Sequence, residues 1–241
     1  NPAVVRNSTV FFKNMQELMK QENLVKKGSK VDFYEYGRAG SQTTIALQNF
    51  ISDLEGAHRT FLTSTGFGAV ALAILSICRP KDEIIVTDAV YAPTRMITSK
   101  LLKEFNVKTH FYNPESLESL QSKINKKTKM IFVENPGSNT FEFQDLSKII
   151  KIAKKRKIIT AIDNTWGTPF FIKPLKIGFD MSISSGTKYL SGHSDVMLGS
   201  LAVNKKVFEK VKFCNKLLGY RASPDDAYLV LRGLRTLDVR L

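Results

Sequence analysis

The sequence predicts an α/β fold, a three-layer sandwich with a mainly parallel sheet, and three observations point to it. Short apolar or β-branched runs recur between residues 60 and 203, with helical patterns between them: Thr60–Thr63, Glu83–Val86, Val107–Phe111, Lys129–Glu134, Ile158–Ile162 and Ser200–Val203. In the run Ile158–Ile162, Ile158, Ile159, Thr160 and Ile162 are β-branched, as suits a central strand buried on both faces of a parallel sheet. At 241 residues and 43% hydrophobic content, the chain can bury one large core or a domain and part of another.

In chain order, a short amphipathic segment around Phe12 to Met19 precedes a polar, lysine-rich stretch. Tyr36, Gly37 and Arg38 follow, by residue type a loop aromatic and an exposed cation. Leu47, Phe50, Ile51 and Leu54 then recur at helical spacing, and Gly56 is a natural stop. After the first strand, Ser64-Thr65-Gly66-Phe67-Gly68 leads into an alanine-rich helix ending near Cys78. Free amides at such a helix start, beside the positive end of its dipole, form an anion site. Tyr91 lies just before Pro93, which can open a helix because it needs no backbone donor there. Helices are expected over Glu115–Ile124 and Gln144–Lys155, separated by the strand Lys129–Glu134 and the loop Asn135-Pro136-Gly137-Ser138.

Asp163 closes the strand that begins at Ile158, at the carboxyl edge where open α/β sheets leave a ligand crevice. The run containing Met181 and Ile183 stops at Ser184-Ser185-Gly186-Thr187, and Lys188 comes next. The hydroxyls of Ser185 and Thr187 can donate to a phosphate, and a lysine on that turn can form a Schiff base with a ligand aldehyde. By itself, a lysine at a strand end is most often simply solvated. A basic helix is expected over Lys205–Leu218. Ser223-Pro224-Asp225-Asp226 then starts a further helix, with Leu229, Leu231, Leu234 and Leu237, predicted to run on to Leu241.

Composition narrows the function. The net charge of +14 comes mainly from lysines spread along helix faces, such as Lys148, Lys151, Lys154, Lys155 and Lys157. Without an aromatic-interleaved basic stripe, this reads as a solvated surface, and no nucleic-acid partner is expected. Cys78 and Cys214 sit in apolar helical patterns, pointing to a reducing, cytoplasmic setting. His58, His110 and His193 show no metal-ligand spacing, and no membrane association is expected.

The stretch Asp180–Gly199 resembles the lysine signature of the cysteine/methionine-metabolism family of pyridoxal-phosphate (PLP) enzymes. That pattern runs D-x-x-x-x-S-x-T-K-aromatic-x-x-G-H, matched by Asp180, Ser185, Thr187, Lys188, Tyr189, Gly192 and His193. The resemblance implies the PLP-dependent transferase fold of the aspartate aminotransferase type I. It also implies pyridoxal 5'-phosphate joined to Lys188, with its pyridine nitrogen kept protonated by Asp163 and its ring stacked by Tyr91. Gly66, Phe67, Ser185 and Thr187 would hold the phosphate, with Tyr36 and Arg38 reaching in from a neighbouring subunit. A homo-oligomer follows, at least a dimer and expected to be a homotetramer. The family's plan gives an N-terminal arm over 1–43 and a PLP-binding α/β domain over 44–222. Residues 223–241 would begin a helix leading to an absent C-terminal domain, which carries the arginine that grips the substrate carboxylate.

Within the family, YGRAGSQT, TDAVYAP, ENPGSNT, AIDNTWGTPFF and TKYLSGHSDVMLG look most like the bacterial cystathionine β-lyases. Ser41-Gln42-Thr43 stands where relatives acting at the γ-carbon more often have N-P-T. The implied reaction is α,β-elimination of L-cystathionine to homocysteine, pyruvate and ammonia, a transsulfuration step of methionine biosynthesis. Lys188 would remove the Cα proton, and Lys188 or Tyr91 would protonate the leaving thiolate. A cystathionine γ-lyase or γ-synthase, or a methionine γ-lyase, would keep the same cofactor residues. Amino-acid racemisation is an implied side activity.

Overall fold

The computed structural model describes residues 2–26 and 35–241. The helix Met15–Lys26 covers the back of the expected amphipathic segment, and the lysine-rich stretch continues into residues 27–34, outside the described residues. Seven strands form one sheet: β1 (Arg59–Thr63), β2 (Glu83–Thr87), β3 (Lys108–Tyr112), β4 (Thr128–Glu134), β5 (Ile159–Asp163), β6 (Met181–Ser185) and β7 (Gly199–Val203). Their order is β1-β7-β6-β5-β4-β2-β3. Every pairing between β6 and β3 is parallel, while β7 runs antiparallel to both β6 and β1. Parallel strands need a crossover, and helices supply one between the others. The β6–β7 connection contains no helix and returns the chain antiparallel.

Both sheet faces are covered, as the β-branched runs require. Ala69, Leu72, Ala73 and Ile74 of the helix Gly66–Ile77 pack with Val86, Phe132, Ala161 and Leu201 on one face, backed by Val207 and Val211 of the helix Lys205–Leu218. On the other face Ile149, Ile150 and Ala153 of the helix Leu146–Arg156 meet Ile85, Ile131 and Ile162. Ala161 and Ile162 therefore serve opposite layers, and β5 lies parallel between β4 and β6, as its composition predicts. Cys78 and Cys214 are free and buried. No helix among the described residues is long and apolar enough to cross a membrane.

Two local expectations need correction. The helix Gln42–Glu55 buries Leu47 and Ile51 and stops at left-handed Gly56, but Phe50 is 46% exposed. Its apolar stripe is narrower than the spacing suggested, and Phe50 lies outside it. The last helix does not run on to Leu241. It spans Pro224–Leu234, where the Arg235 and Thr236 amides bond back three residues, and a separate turn follows at Leu237–Arg240. Gly233 weakens helix propensity at that point, and the tightened turn ends the helix.

Glu55 makes a stability prediction. It is 1% exposed, its Oε1 accepts from Ser182 Oγ at 2.9 Å, and its Oε2 has no partner. Burial lifts its carboxyl from 4.5 to about 7, against smaller opposing effects of Ser182 and Lys173. A carboxyl raised in the folded state adds stability that is complete below the unfolded value and lost as pH rises through the folded one. Here that window runs from about 4.5 to 7 and is worth about 3 kcal/mol. Glu55→Gln keeps an acceptor for Ser182 without a charge. In urea melts its stability relative to the parent should improve by about 2–3 kcal/mol between pH 5 and pH 8. An equal difference at both pH values would show that Glu55 does not carry the effect.

Candidate active site

The site forms at the carboxyl edge of the sheet, around a turn that hydrogen bonds hold at the end of β6. The Ser185 amide donates to Thr165 Oγ1 at 2.8 Å, tying β6 to the segment after β5. The Lys188 amide donates to Ser185 O at 3.1 Å, and the Gly192 amide to Lys188 O at 2.8 Å. Thr187 Oγ1 accepts from the Leu198 amide at 3.1 Å and donates to Leu198 O at 3.3 Å, so this hydroxyl clamps the turn to the strand entering β7. Lys188 is exposed, and its Nζ lies 3.2 Å from Ser185 Oγ.

The glycine turn after β1 arrives at the same place. A Cβ on Gly66 would lie 2.5 Å from Ser185 Oγ, and one on Gly199 would lie 2.2 Å from Thr65 O. Only glycine lets the helix start, the lysine turn and β7 approach so closely. Thr65 caps the helix by accepting the Gly68 amide, and Thr65 O accepts the Ala69 amide. Among the described residues, the amides of Gly66 and Phe67 have no acceptor, beside Ser185 Oγ, where an anion is favoured.

Asp163 is 7% exposed at the end of β5, and its Oδ1 accepts the Thr165 amide at 3.0 Å. Burial raises its pKa, while the Thr165 hydrogen bonds and the Lys188 charge pull it down. Beside it in register stands Glu134, the last residue of β4, whose Oε2 accepts the Tyr91 amide at 2.7 Å. Burial, then the adjacent Asp163, raises the Glu134 carboxyl. Two buried carboxyls side by side do not both ionise readily. Asp163, although raised on balance, has the Lys188 cation and the Thr165 donors to favour its charged form, and Glu134 has only the Tyr91 amide. The hydrogen bond to Glu134 also places Tyr91, whose ring is 43% exposed before the helix Ala92–Met96.

Tyr36 and Arg38 lie elsewhere on the chain. Tyr36 forms a bridge with Thr9, and Arg38 Nη1 donates to Lys216 O at 3.2 Å, near the end of the helix Lys205–Leu218. Sequence reading missed Thr165 and Glu134. Thr165 stands inside the D-N-T-W stretch but reads there as an ordinary turn residue, and Glu134 as the end of a buried strand.

The match to a family of known enzymes, described as "Cys/Met metabolism PLP-dependent enzyme", extends over residues 1–241. The chain belongs to that family. A Rhizobium johnstonii protein, provisionally named a cystathionine β-lyase, is 41% identical over 241 residues, all of this chain and 59% of its own length. The cystathionine β-lyase of Bordetella avium is 34% identical over 238 residues, 98% of this chain and 59% of that one. The crystal structure of cystathionine γ-synthase from Xanthomonas oryzae pv. oryzae with aminoacrylate and cysteine superposes with a TM-score of 0.88 at 31% identity, covering 99% of this chain and 58% of that one. The chain thus spans about three-fifths of these relatives. The fold is that of the PLP-dependent transferases, as the lysine signature implied, and the family's cofactor is pyridoxal phosphate.

The residues present fit that cofactor. The cradle at Gly66, which a Cβ would fill, offers two free amides and the Ser185 hydroxyl to a phosphate. The Lys188 charge acts on Asp163, so an amine for the cofactor aldehyde and a carboxyl for its ring nitrogen would both be at hand.

Proposed function

We propose that this chain forms the cofactor-binding part of a cytoplasmic carbon–sulfur lyase that cleaves L-cystathionine by α,β-elimination to homocysteine, pyruvate and ammonia. The observation that supports PLP chemistry best is Lys188 Nζ at Ser185 Oγ, beside the open helix start at Gly66 and within the field of Asp163. The choice of β-elimination draws on relatives bearing the cystathionine β-lyase name. Ser41 caps the helix Gln42–Glu55 in a reciprocal pair with Thr44, so the Ser-Gln-Thr sequence also has a local helix-capping explanation.

When bound, pyridoxal phosphate supplies an electron sink for the charge left at the substrate Cα. The Gly66 and Phe67 amides and Ser185 would hold the phosphate; Thr187, expected to join them, instead has its hydroxyl bonded to Leu198 and keeps the turn on β7. Asp163 would supply the negative charge for the pyridine nitrogen, and the Tyr91 ring would stack on the cofactor. The Lys188 amine removes the Cα proton, and Lys188 or Tyr91 gives a proton to the departing sulfur. General acid–base transfer of this kind contributes about 10²–10⁴-fold. Tyr36 and Arg38 would complete the phosphate site of a second copy of the chain; in their own copy Tyr36 bridges Thr9 and Arg38 donates to Lys216 O. The planar fork of Arg38 suits bidentate phosphate binding.

The test is product analysis with L-cystathionine, using the full-length protein that contains this chain, loaded with pyridoxal phosphate. Homocysteine and pyruvate in equal amounts are expected. Cysteine and 2-oxobutyrate instead would replace the proposal with γ-elimination, and D-alanine formed rapidly from L-alanine would replace it with racemisation.

A further inference from the structure

We propose that Arg240 is a positioning residue for Lys188, locking the backbone of the lysine turn on its Tyr189 side. This rests on the reading of Lys188 as the cofactor lysine. Arg240 Nη1 donates to Tyr189 O at 2.9 Å, one residue past Lys188, while Nη2 donates to Gly233 O at 2.8 Å and Nε to Thr236 Oγ1 at 3.0 Å. One rigid, planar fork thus joins the lysine turn to the end of the helix Pro224–Leu234.

Two glycines show how tight the junction is. Gly192 has φ +74°, and a Cβ there would lie 2.2 Å from Arg240 Nη1. A Cβ on Gly233 would lie 2.2 Å from Ser191 O and 2.5 Å from Leu190 O, so the helix backbone rests directly on the turn. Farther along, Arg232 Nη2 donates to Asp195 Oδ2 at 2.9 Å. Within the turn, the Ser191 amide reaches Gly186 O at 3.0 Å and the Gly192 amide reaches Lys188 O at 2.8 Å.

The geometry has a functional consequence. Lys188 ends a long flexible stem, so the accuracy of its amine depends on how firmly its own backbone is held. A misplacement of about 1 Å at a reacting group can lower the rate by about 10²-fold. β6 holds the turn on its Ser185 side through Thr165, and Arg240 holds it on its Tyr189 side. Loss of the fork frees the second side only.

Hydrogen exchange on the cofactor-free, full-length protein tests this. In Arg240→Gln, the Ser191 and Gly192 amides should exchange at least about tenfold faster, while strand amides such as Ile162 and Ile183 keep the parent rate. Arg240→Lys retains the charge but has no fork to bridge Tyr189 O and Gly233 O, so its turn amides should exchange at an intermediate rate. Attachment of added pyridoxal phosphate, followed by visible absorbance and trapped with borohydride, should be several-fold slower in Arg240→Gln. Unchanged turn exchange in a folded Arg240→Gln overturns the proposal. So does faster exchange of strands and turn alike in both variants, which would make Arg240 a general fold residue. If the cofactor labels another lysine in the parent, the cofactor reading fails and the proposal with it. If it labels Lys188 in Arg240→Gln at the parent rate, only the proposal fails.

Discussion

Lys188→Ala is expected to reduce pyruvate formation from cystathionine by at least about 10⁴-fold, or about 5.5 kcal/mol of transition-state stabilisation. The loss is expected to be this large because the proposed mechanism gives one amine two tasks, holding the cofactor and moving the Cα proton. The phosphate contacts do not involve the Lys188 side chain, so the variant should still take up pyridoxal phosphate without covalent attachment. It should lack the visible band of the lysine-bound form and yield no borohydride-trapped peptide. Stability should change little, since Lys188 is exposed and, among the described residues, its side chain makes a 3.2 Å hydrogen bond to Ser185 besides its charge interaction with Asp163. Turnover within tenfold of the parent, or a trapped label on a different lysine of the parent, would remove Lys188 from the mechanism.

Asp163→Asn is the second large effect. Asparagine keeps the volume and an oxygen that can accept the Thr165 amide, so the turn between β5 and Thr165 should persist. It lacks the negative charge that, in the proposed mechanism, would keep the cofactor's pyridine nitrogen protonated. Without that proton the ring withdraws electrons less strongly, and the barrier to removing the Cα proton rises. A loss of at least about 10²-fold in turnover is expected, or about 2.7 kcal/mol. The cofactor should remain on Lys188, because the phosphate cradle and the lysine turn are untouched. Loss of the Asp163 charge also relieves Glu134, whose carboxyl is raised partly by that neighbour. Glu134 bonds the Tyr91 amide and stands on the adjacent strand, so its ionisation is not expected to restore the rate. Turnover within a few-fold of the parent in a cofactor-loaded Asp163→Asn would make Asp163 a turn cap alone.

The sequence by itself determined the elements and the chemistry that lies along a single run of chain. Period and β-branching identify β5, because a strand covered on both faces must be apolar at every step. Asp163 and Lys188 each stand at the edge of an element, but their chemistry is legible only through the resemblance of the lysine signature to the PLP family. The limits of that reading are visible too. Phe50 fits a helical spacing yet stays half-exposed, and the last helix breaks at Gly233 although its leucines continue. Periodicity describes the environment an element prefers, not which neighbour provides it.

Only the tertiary structure decided the partners. The sheet order brings β6 beside β5 and β7, so Ser185 meets Thr165 and Gly66 although each comes from a distant part of the chain. It sets Glu134 beside Asp163, a pairing of two carboxyls that neither strand reveals alone. It carries Arg240 back onto Tyr189, and it holds Tyr36 and Arg38 at Thr9 and Lys216. Such contacts depend on crossovers and sheet order, and these are settled by how the layers pack as a whole. A local pattern records how much of a residue is covered. Which atom covers it is chosen when the whole core closes.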